Sequence, residues 1–208
     1  MQTQKSIIIT VLTVCLAIAT LMIFGGCGGG KGGSFTDPRD GQTYRTVRIG
    51  NLTWMAENLN YASDSSWCYD NDDSNCVTCG RLYNWDAAKA ACSTMGAGWR
   101  LPVQADWKDL GKILGNEMTA GTKLKSKTGW PKKRNGTDKF GFSLLPCGFR
   151  DYRGVYTSYA TTAHLWSGEE PKEEHVAYVK SILDQFHYYL VGDDRPKSMR
   201  TSVRCVRE

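Results

Sequence analysis

Oxygen-bearing side chains crowd residues 69–75, which read YDNDDSN and lie between two cysteines. Hard cations such as Ca²⁺ take roughly six to eight oxygen ligands, so Asp70, Asp72 and Asp73 are candidate calcium ligands. Counted from Asp70, the run has no Gly at the sixth position and carries Arg81 at the twelfth, where an EF-hand loop has Gly and Glu. Runs rich in Asp and Asn are also ordinary turn chemistry. A calcium site and a simple turn both remain open.

Aromatic side chains fall in stretches that the sequence pattern assigns to loops. They are Trp130, Tyr152, Tyr156 and Tyr159. Exposed rings beside Arg and Asp can stack on sugar rings or anchor a protein partner. The same rings can instead be buried to pack long loops. These four residues are the candidate ligand-binding residues.

The sequence offers little support for an enzyme. His164, His175 and His187 lack HExxH or any tight ligand spacing, so core or solvated histidines are favoured over a metal trio. No nucleophile elbow begins a hydrolytic triad. An exposed acidic loop is favoured over a carboxylate pair for glycoside cleavage at the neighbouring glutamates. Those glutamates are Glu169, Glu170, Glu173 and Glu174.

The N-terminus has the pattern of an export signal. Lys5 precedes an apolar run over 7–24, and FGGC follows at 24–27 and resembles a bacterial lipobox. We therefore expect Cys27 to be lipidated and to hold the protein to a membrane. An uncleaved anchor helix is the alternative, since about 20 apolar residues cross a bilayer. The predicted organisation is a signal peptide over 1–26, a lipidated Cys and Gly-rich tether over 27–36, and one domain over 37–208.

The expected location and the distribution of charge limit the classes of partner that the protein can have. An acidic residue after the lipidated cysteine would favour the inner membrane, and Gly28 stands there instead, so an exported protein at the outer membrane or cell surface is expected. The net charge of +5 is spread along the chain, apart from PKKR at 131–134. This distribution argues against nucleic acid as a partner.

Six of the eight cysteines remain once Cys15 leaves with the signal and Cys27 is lipidated. An even number in an exported protein predicts disulfides, with 15 pairings possible from sequence alone. A metal or redox site at the CxxC of Cys76 and Cys79 is the alternative, and it lacks a second pair or a thioredoxin-like context. The six are Cys68, Cys76, Cys79, Cys92, Cys147 and Cys205.

Two short helices should position these groups. Asn84 can cap a helix that ends near Cys92, with Tyr83, Ala87 and Ala91 on its apolar face. A second helix follows Pro102 and buries Trp107, Leu110 and Leu114. Strands are predicted at 43–49, 52–55, 140–145, 163–167, 176–183, 186–191 and 202–207. Loops are predicted at 63–74, 121–136 and 150–162. Strands, two helices and further strands indicate the α+β class.

Several separated motifs resemble a known family. IGNLTWMAENLNY, GRLYNWDAAKAAC, GWRLPVQADWKDL, KFGFSLLP and SVRCVR occur in this order between about Asp37 and the C-terminus. Together they resemble the Fibrobacter succinogenes major paralogous domain. More distantly, WRLPVQADW is similar to the RLPTEAEW helix of formylglycine-generating enzymes. The resemblance implies a C-type lectin-like fold, with two short helices packed on a mostly antiparallel, twisted sheet with long loops.

The resemblance also narrows the cysteine pairing and the chemistry. It implies that Cys92 bonds Cys205, because such folds commonly tie the first helix to the last strand. A Cys68–Cys76 bond would then close the acidic loop, which leaves Cys79 with Cys147. The copper-binding cysteine pair of formylglycine-generating enzymes is absent near the end of the chain, and so are the sugar-binding triplets of calcium-dependent lectins, with a partial echo at 170–172.

These observations predict a lipid-anchored surface module that binds glycans or an envelope or extracellular protein, with no cofactor other than calcium. The alternatives are an envelope enzyme, either an oxidase related to the formylglycine-generating group or a glycan hydrolase, and a purely structural surface protein with its aromatic residues buried.

Overall fold

The computed structural model describes residues 32–131, 133–184 and 193–208. The predicted signal, Cys27, the predicted strand over 186–191 and His187 lie outside these ranges. Within them, no helix has the length and apolar character needed to cross a membrane.

The elements follow one another in an α+β order. The strands are β1 (Gly32–Thr36), β2 (Thr43–Ile49), β3 (Leu52–Met55), β4 (Ser66–Trp67), β5 (Leu82–Tyr83), β6 (Cys147–Arg150), β7 (Tyr156–Tyr159), β8 (Thr162–Trp166), β9 (Val176–Leu183), β10 (Asp193–Pro196) and β11 (Val206–Arg207). The helices are α1 (Asp73–Cys79), α2 (Trp85–Ser93), α3 (Gln104–Leu114) and α4 (Glu117–Leu124), with a short 3-10 turn at Tyr69–Asn71.

The first sheet joins the two ends of the described chain. Its order is β1-β2-β3-β11, and all neighbours are antiparallel. The predicted hairpin between β2 and β3 is confirmed, and Gly50 turns the chain with φ +64°. Residues 32–36, which were predicted to belong to the tether, instead form β1 and pair with β2. Backbone ladder bonds need no side chain, so glycines can form this edge strand.

A second sheet carries the later part of the chain in the order β10-β9-β8-β6-β7. Its neighbours are antiparallel except β6 and β8, which pair in parallel between Gly148 and Ala163. β4 and β5 form a separate two-stranded ribbon.

The two predicted helices are confirmed as α2 and α3. Asn84 caps α2, since its Oδ1 accepts a hydrogen bond of 2.9 Å from the Ala87 amide. Ala87 itself is only half-buried, because α2 turns its Trp85 and Ala88 face inward. At the start of α3, Asp106 Oδ2 accepts from the Val103 amide at 2.7 Å.

The core consists of two hydrophobic clusters, and each of the helices α2 and α3 packs into a different one. α2 packs into a cluster with Met55, while α3 packs into a second cluster with Trp54. Adjacent residues of a strand point to opposite faces, so β3 contributes to both clusters. Cys205 and Val206 are split between the clusters in the same way. Each helix therefore covers one side of the strands, as one-sided apolar faces require.

Four predicted segments were wrong. The loops at 63–74 and 121–136 overlap α1 and α4, and the connection at 150–162 contains β7. The alternating run at 140–145 does not form a strand, because Gly141 and Ser143 both have positive φ, which breaks the extended backbone.

Candidate binding surface

Two of the predicted ligand-binding tyrosines meet on one surface. The ring of Tyr69, in the 3-10 turn, lies 5.1 Å from the ring of Tyr156 and 4.8 Å from that of Tyr159, between centroids. Tyr156 and Tyr159 are three residues apart and would face opposite sides of a regular strand. Ser158 between them has φ +62°, which interrupts that alternation. The strand distortion thus accounts for both rings packing against Tyr69.

The tyrosines differ in exposure. Tyr152 in the β6–β7 connection is 64% exposed and Tyr159 is 41% exposed. Tyr156 is half-buried and its hydroxyl donates a 2.7 Å hydrogen bond to Asn71 Oδ1. Burial raises the pKa of Tyr156 and of Tyr69, so both phenols are protonated at neutral pH. The surface therefore combines an exposed ring, Tyr159, with the more buried rings of Tyr69 and Tyr156.

Two arginines border the tyrosines and share an indole ring. The guanidinium carbon of Arg200 lies 4.7 Å from the centroid of Trp67, and that of Arg150 lies 5.3 Å from it. Arg150 is also 5.3 Å from the ring centroid of Tyr156. Cation–π contacts of this length hold a guanidinium in place. We call this surface the aromatic–arginine face. It comprises Trp67, Tyr69, Arg150, Tyr156, Tyr159 and Arg200.

Two disulfides fix the segment that supports the face. Cys68–Cys76 ties the 3-10 turn to α1, and Cys79–Cys147 ties the end of α1 to β6. The third, Cys92–Cys205, joins α2 to the chain just before β11. These pairs match the expected ones. Trp67, Tyr69 and Arg150 thus lie on segments that are covalently linked, which preorganises the face.

Trp130 does not belong to the face, which corrects the expectation of an exposed stacking ring there. It is 5% exposed and packs in the core cluster with α3. Its Nε1 donates to the Leu144 carbonyl at 2.9 Å, and Lys125 Nζ lies 4.3 Å from its ring centroid. A buried indole that satisfies its N–H is an ordinary core residue.

The acidic run begins a helix instead of gathering around an ion. Asp72 caps α1 by accepting a 2.9 Å hydrogen bond from the Ser74 amide, and its hydrogen bonds with Ser74 lower its pKa. Asp70 lies in the 3-10 turn with φ +55°, and Asp73 is the first residue of α1. Among the described residues, no group of three or more His, Cys, Asp or Glu is placed to hold a metal ion. The predicted cluster of Asp70, Asp72 and Asp73 therefore does not form.

Three of the other groups considered for catalysis have structural contacts, whereas Glu173, Glu174 and His175 are exposed. His164 is buried, its Nδ1 lies 2.6 Å from Ser181 Oγ, and burial lowers its pKa to about 4. Glu169 accepts from the Gln104 amide at 3.1 Å, near the start of α3. Glu170 pairs with Lys89 at 3.1 Å. These contacts leave the histidine away from solvent and give the two glutamates partners on other helices.

A polar cavity of about 500 Å³ lies elsewhere on the molecule, between β2 and the residues around 126–128. Two of its charged lining residues pair with each other, since Arg45 Nε lies 3.0 Å from Glu57 Oε1. A third, Asp138, accepts from the amide and hydroxyl of Ser143 at 2.7 Å. Three of the charged groups that line this cavity are therefore engaged with residues of the cavity wall.

The sequence did not identify Trp67, Tyr69, Arg150 and Arg200 as parts of a site. Arg150 opens the aromatic stretch RDYRGVYTSY, so its composition was a usable signal. Arg200 is fifty positions away and reaches the face only through sheet pairing.

Comparison with known proteins places the chain in a family. The model of the Fibrobacter succinogenes major domain matches residues 47–207, which include every residue of the aromatic–arginine face. No curated protein and no solved structure gives a significant match. Because the match covers most of the chain, the protein belongs to the Fibrobacter succinogenes major domain family.

Proposed function

We propose that this protein is a lipid-anchored binding module of the cell surface that holds carbohydrate on the aromatic–arginine face. The observation that carries the proposal is the convergence of Tyr156 and Tyr159 on Tyr69 beside two arginines. Exposed aromatic rings give sugars an apolar surface, and neighbouring polar groups fix their orientation. The disulfide-linked base keeps the entropic cost of binding low.

Binding accounts for the described residues better than the alternatives do. A purely structural protein would have its aromatic residues buried, whereas Tyr152 and Tyr159 are exposed. An oxidase or a glycan hydrolase would need accessible reactive groups. The His164–Ser181 pair is buried, and Glu169 and Glu170 are engaged with α3 and α2.

A C-type lectin-like architecture is part of the proposal. Two features support it: Cys92–Cys205 ties α2 to the end of the chain, and β1 and β11 lie in one sheet. The anchor proposal depends on Cys27 and on the export pattern before it. It predicts that Cys27→Ser moves the protein from the membrane fraction to the soluble fraction. Equal membrane recovery of this variant and the unchanged protein would overturn the anchor.

Carbohydrate binding is tested with the detergent-solubilised full-length protein on a panel of immobilised plant and bacterial polysaccharides, with calcium and with a chelator. We expect retention on at least one polymer in either solution, and at least tenfold weaker retention of Tyr159→Ala, since tenfold corresponds to about 1.4 kcal/mol. Ile113→Ala is the control, because Ile113 is an exposed apolar residue of α3 outside the face.

Two results would overturn the proposal. One is the absence of retention on every polymer of the panel. The other is equal retention of Tyr159→Ala and Ile113→Ala. Loss of retention in chelator alone would move the binding site from the tyrosines to the acidic run.

A further inference from the structure

Two positively charged residues, Arg150 and Arg200, lie directly opposite each other beside Trp67. The Arg150 amide donates to the Arg200 carbonyl at 3.0 Å, and the Arg200 amide donates back to the Arg150 carbonyl at 2.9 Å. Residues paired in this way have Cβ atoms about 5.5 Å apart, and like charges at such positions destabilise a sheet. The fold accepts this repulsion at the edge of the aromatic–arginine face.

Neither charge is neutralised by a carboxylate of the described chain. The nearest candidate, Asp151, pairs with Arg153 at 2.8 Å and accepts from the amides of Arg153 and Val155. Arg150 uses its Nε on the Gly154 carbonyl at 3.0 Å. Arg200 donates one long bond, 3.4 Å, from Nη1 to the Asp151 carbonyl, and its buried Nε has no partner. Most guanidinium donors of this pair therefore lack an acceptor among the described residues.

The electrostatic state of the pair agrees with these contacts. Burial, followed by the Arg150 charge, lowers the pKa of Arg200 from its ordinary value. A guanidinium stays protonated in proteins, so the cost of holding two cations together remains in the folded state. An anion placed between them would relieve it.

The neighbouring groups indicate what kind of anion fits. A planar guanidinium binds carboxylate with two parallel hydrogen bonds. Both guanidinium groups contact the ring of Trp67, and Tyr159 on the same face leaves ring surface exposed. A sugar ring that carries a carboxylate presents both features within one residue of a polymer.

We propose that the face binds acidic polysaccharide, with the uronate carboxylate on Arg150 and Arg200 and the sugar rings on the tyrosines. This inference rests on the proposed function, because it names the substrate class of the same site. An acidic polypeptide would also place carboxylates on the two arginines, so the test below includes one.

The probe is polygalacturonate, compared with its methyl ester, which keeps the sugar rings and removes the charge. The full-length protein is measured on both immobilised polymers at low and high salt. We expect at least tenfold weaker binding to the ester, and weaker binding to polygalacturonate at high salt, because ions screen exposed charges. The variant with Arg150→Gln and Arg200→Gln should bind polygalacturonate at least tenfold more weakly than the unchanged protein does, and its affinity for the ester should change little.

Arg207→Gln is the matched control for each substitution. Arg207 also contacts aromatic rings, those of Phe35 and Trp99, but it lies in β11. It should bind as the unchanged protein does, and the circular dichroism of every variant is compared to establish folding.

The outcomes separate the two proposals. Equal binding to polygalacturonate and its ester overturns the acidic ligand and leaves carbohydrate binding standing. Binding to neither polymer, nor to any other of the panel, overturns both. If immobilised polyglutamate retains the protein as strongly as polygalacturonate does, the sugar hypothesis is overturned and an acidic polypeptide is favoured as the ligand. Equal losses of binding in Arg207→Gln and in the variant with Arg150→Gln and Arg200→Gln would show a general charge effect and would also overturn the site.

Discussion

Two regions of this molecule hold arginine in opposite ways. Arg204, in the core next to Cys205, is 1% exposed, and its side chain donates four hydrogen bonds to oxygens of the chain. The acceptors are Asn58 Oδ1 at 2.6 Å, Met55 O at 3.1 Å, Phe142 O at 2.6 Å and Ser143 O at 3.2 Å. Burial lowers the pKa of Arg204 to about 9, which records the cost of placing a charge there.

Arg150 and Arg200 are only half-buried, yet they have fewer acceptors than Arg204. A buried donor must be satisfied by the fold, whereas a donor at the surface can be left for a ligand. The comparison separates a structural arginine, on which the chain closes, from arginines that the chain leaves available. The expected losses below follow this division.

The largest difference should appear between the disulfides of the two regions. Cys92–Cys205 closes 113 residues, and its removal by two Cys→Ala changes should cost about 4.7 kcal/mol of unfolding free energy, the chain-entropy figure for a loop of roughly 100 residues. Cys68–Cys76 spans 8 residues, and its removal should cost roughly 2.5 kcal/mol while weakening polysaccharide binding more, because it loosens Tyr69.

Chemical denaturation of the two double variants and of the unchanged protein measures this difference. Equal losses of stability would contradict the distinction between Cys92–Cys205 as a disulfide of the core and Cys68–Cys76 as a disulfide of the binding face.

Replacing Arg204 with Ala should lower the unfolding free energy by about 4 kcal/mol, because one substitution leaves buried oxygens without donors and opens a cavity. The measurement is urea denaturation, with Arg207→Ala as a control from the adjacent strand. A loss below about 1 kcal/mol would mean that water replaces the guanidinium and that Arg204 is not structural.

Stability should also depend on pH, because His164 is buried in the core next to β6. His164 packs against the Phe149 ring, contacts Ser181 and senses the Arg195 charge, and its pKa is about 4 when folded against an ordinary 6.5. The unfolded chain therefore binds the proton more readily between these values. The stability that His164 provides is present above pH 6.5 and is lost as the pH falls toward 4, by up to roughly 3 kcal/mol.

The test compares thermal unfolding of the unchanged protein and His164→Gln from about pH 7.5 to about pH 4, the range that brackets the two pKa values. We expect the gap between the two curves to change across that window and to stay constant above it. Parallel curves at all pH values would show that His164 does not titrate differently on folding.

Local sequence patterns could predict the framework that holds both regions. The β2–β3 hairpin, the Asn84 cap of α2 and the Trp107 face of α3 all depend on residues within a few positions of each other. The resemblance supplied the cysteine pairs. These features need no knowledge of the tertiary contacts.

The missed elements depend on long-range contacts. α1 is a short helix of weak helix formers that is fixed by the bonds of Cys76 and Cys79 to other cysteines. Trp130 looked like a loop residue, but its indole finds the Leu144 carbonyl in the core. The pairing of Arg150 with Arg200 joins residues fifty positions apart, so no local pattern indicates it.

The smallest expected effect on stability is also the one that best separates the two kinds of arginine. Replacing Arg200 with Gln removes a cation–π contact with Trp67, worth about 0.5–1 kcal/mol at a partly exposed site. The same change relieves the repulsion from Arg150 and the burial of an unpaired charge, both of which oppose folding. These terms nearly cancel, so the unfolding free energy should change by less than about 0.5 kcal/mol.

Binding of polygalacturonate to Arg200→Gln should nevertheless weaken severalfold, because the ligand is what relieves the repulsion in the unchanged protein. Thermal unfolding with and without polygalacturonate measures both quantities, and the ligand should raise the melting temperature of the unchanged protein more than that of the variant. Ordinary substitutions at the surface change stability by roughly 0.5 kcal/mol or less, so a loss of about 2 kcal/mol or more would require a structural cause. Such a loss would place Arg200 with Arg204 among the arginines on which the fold depends.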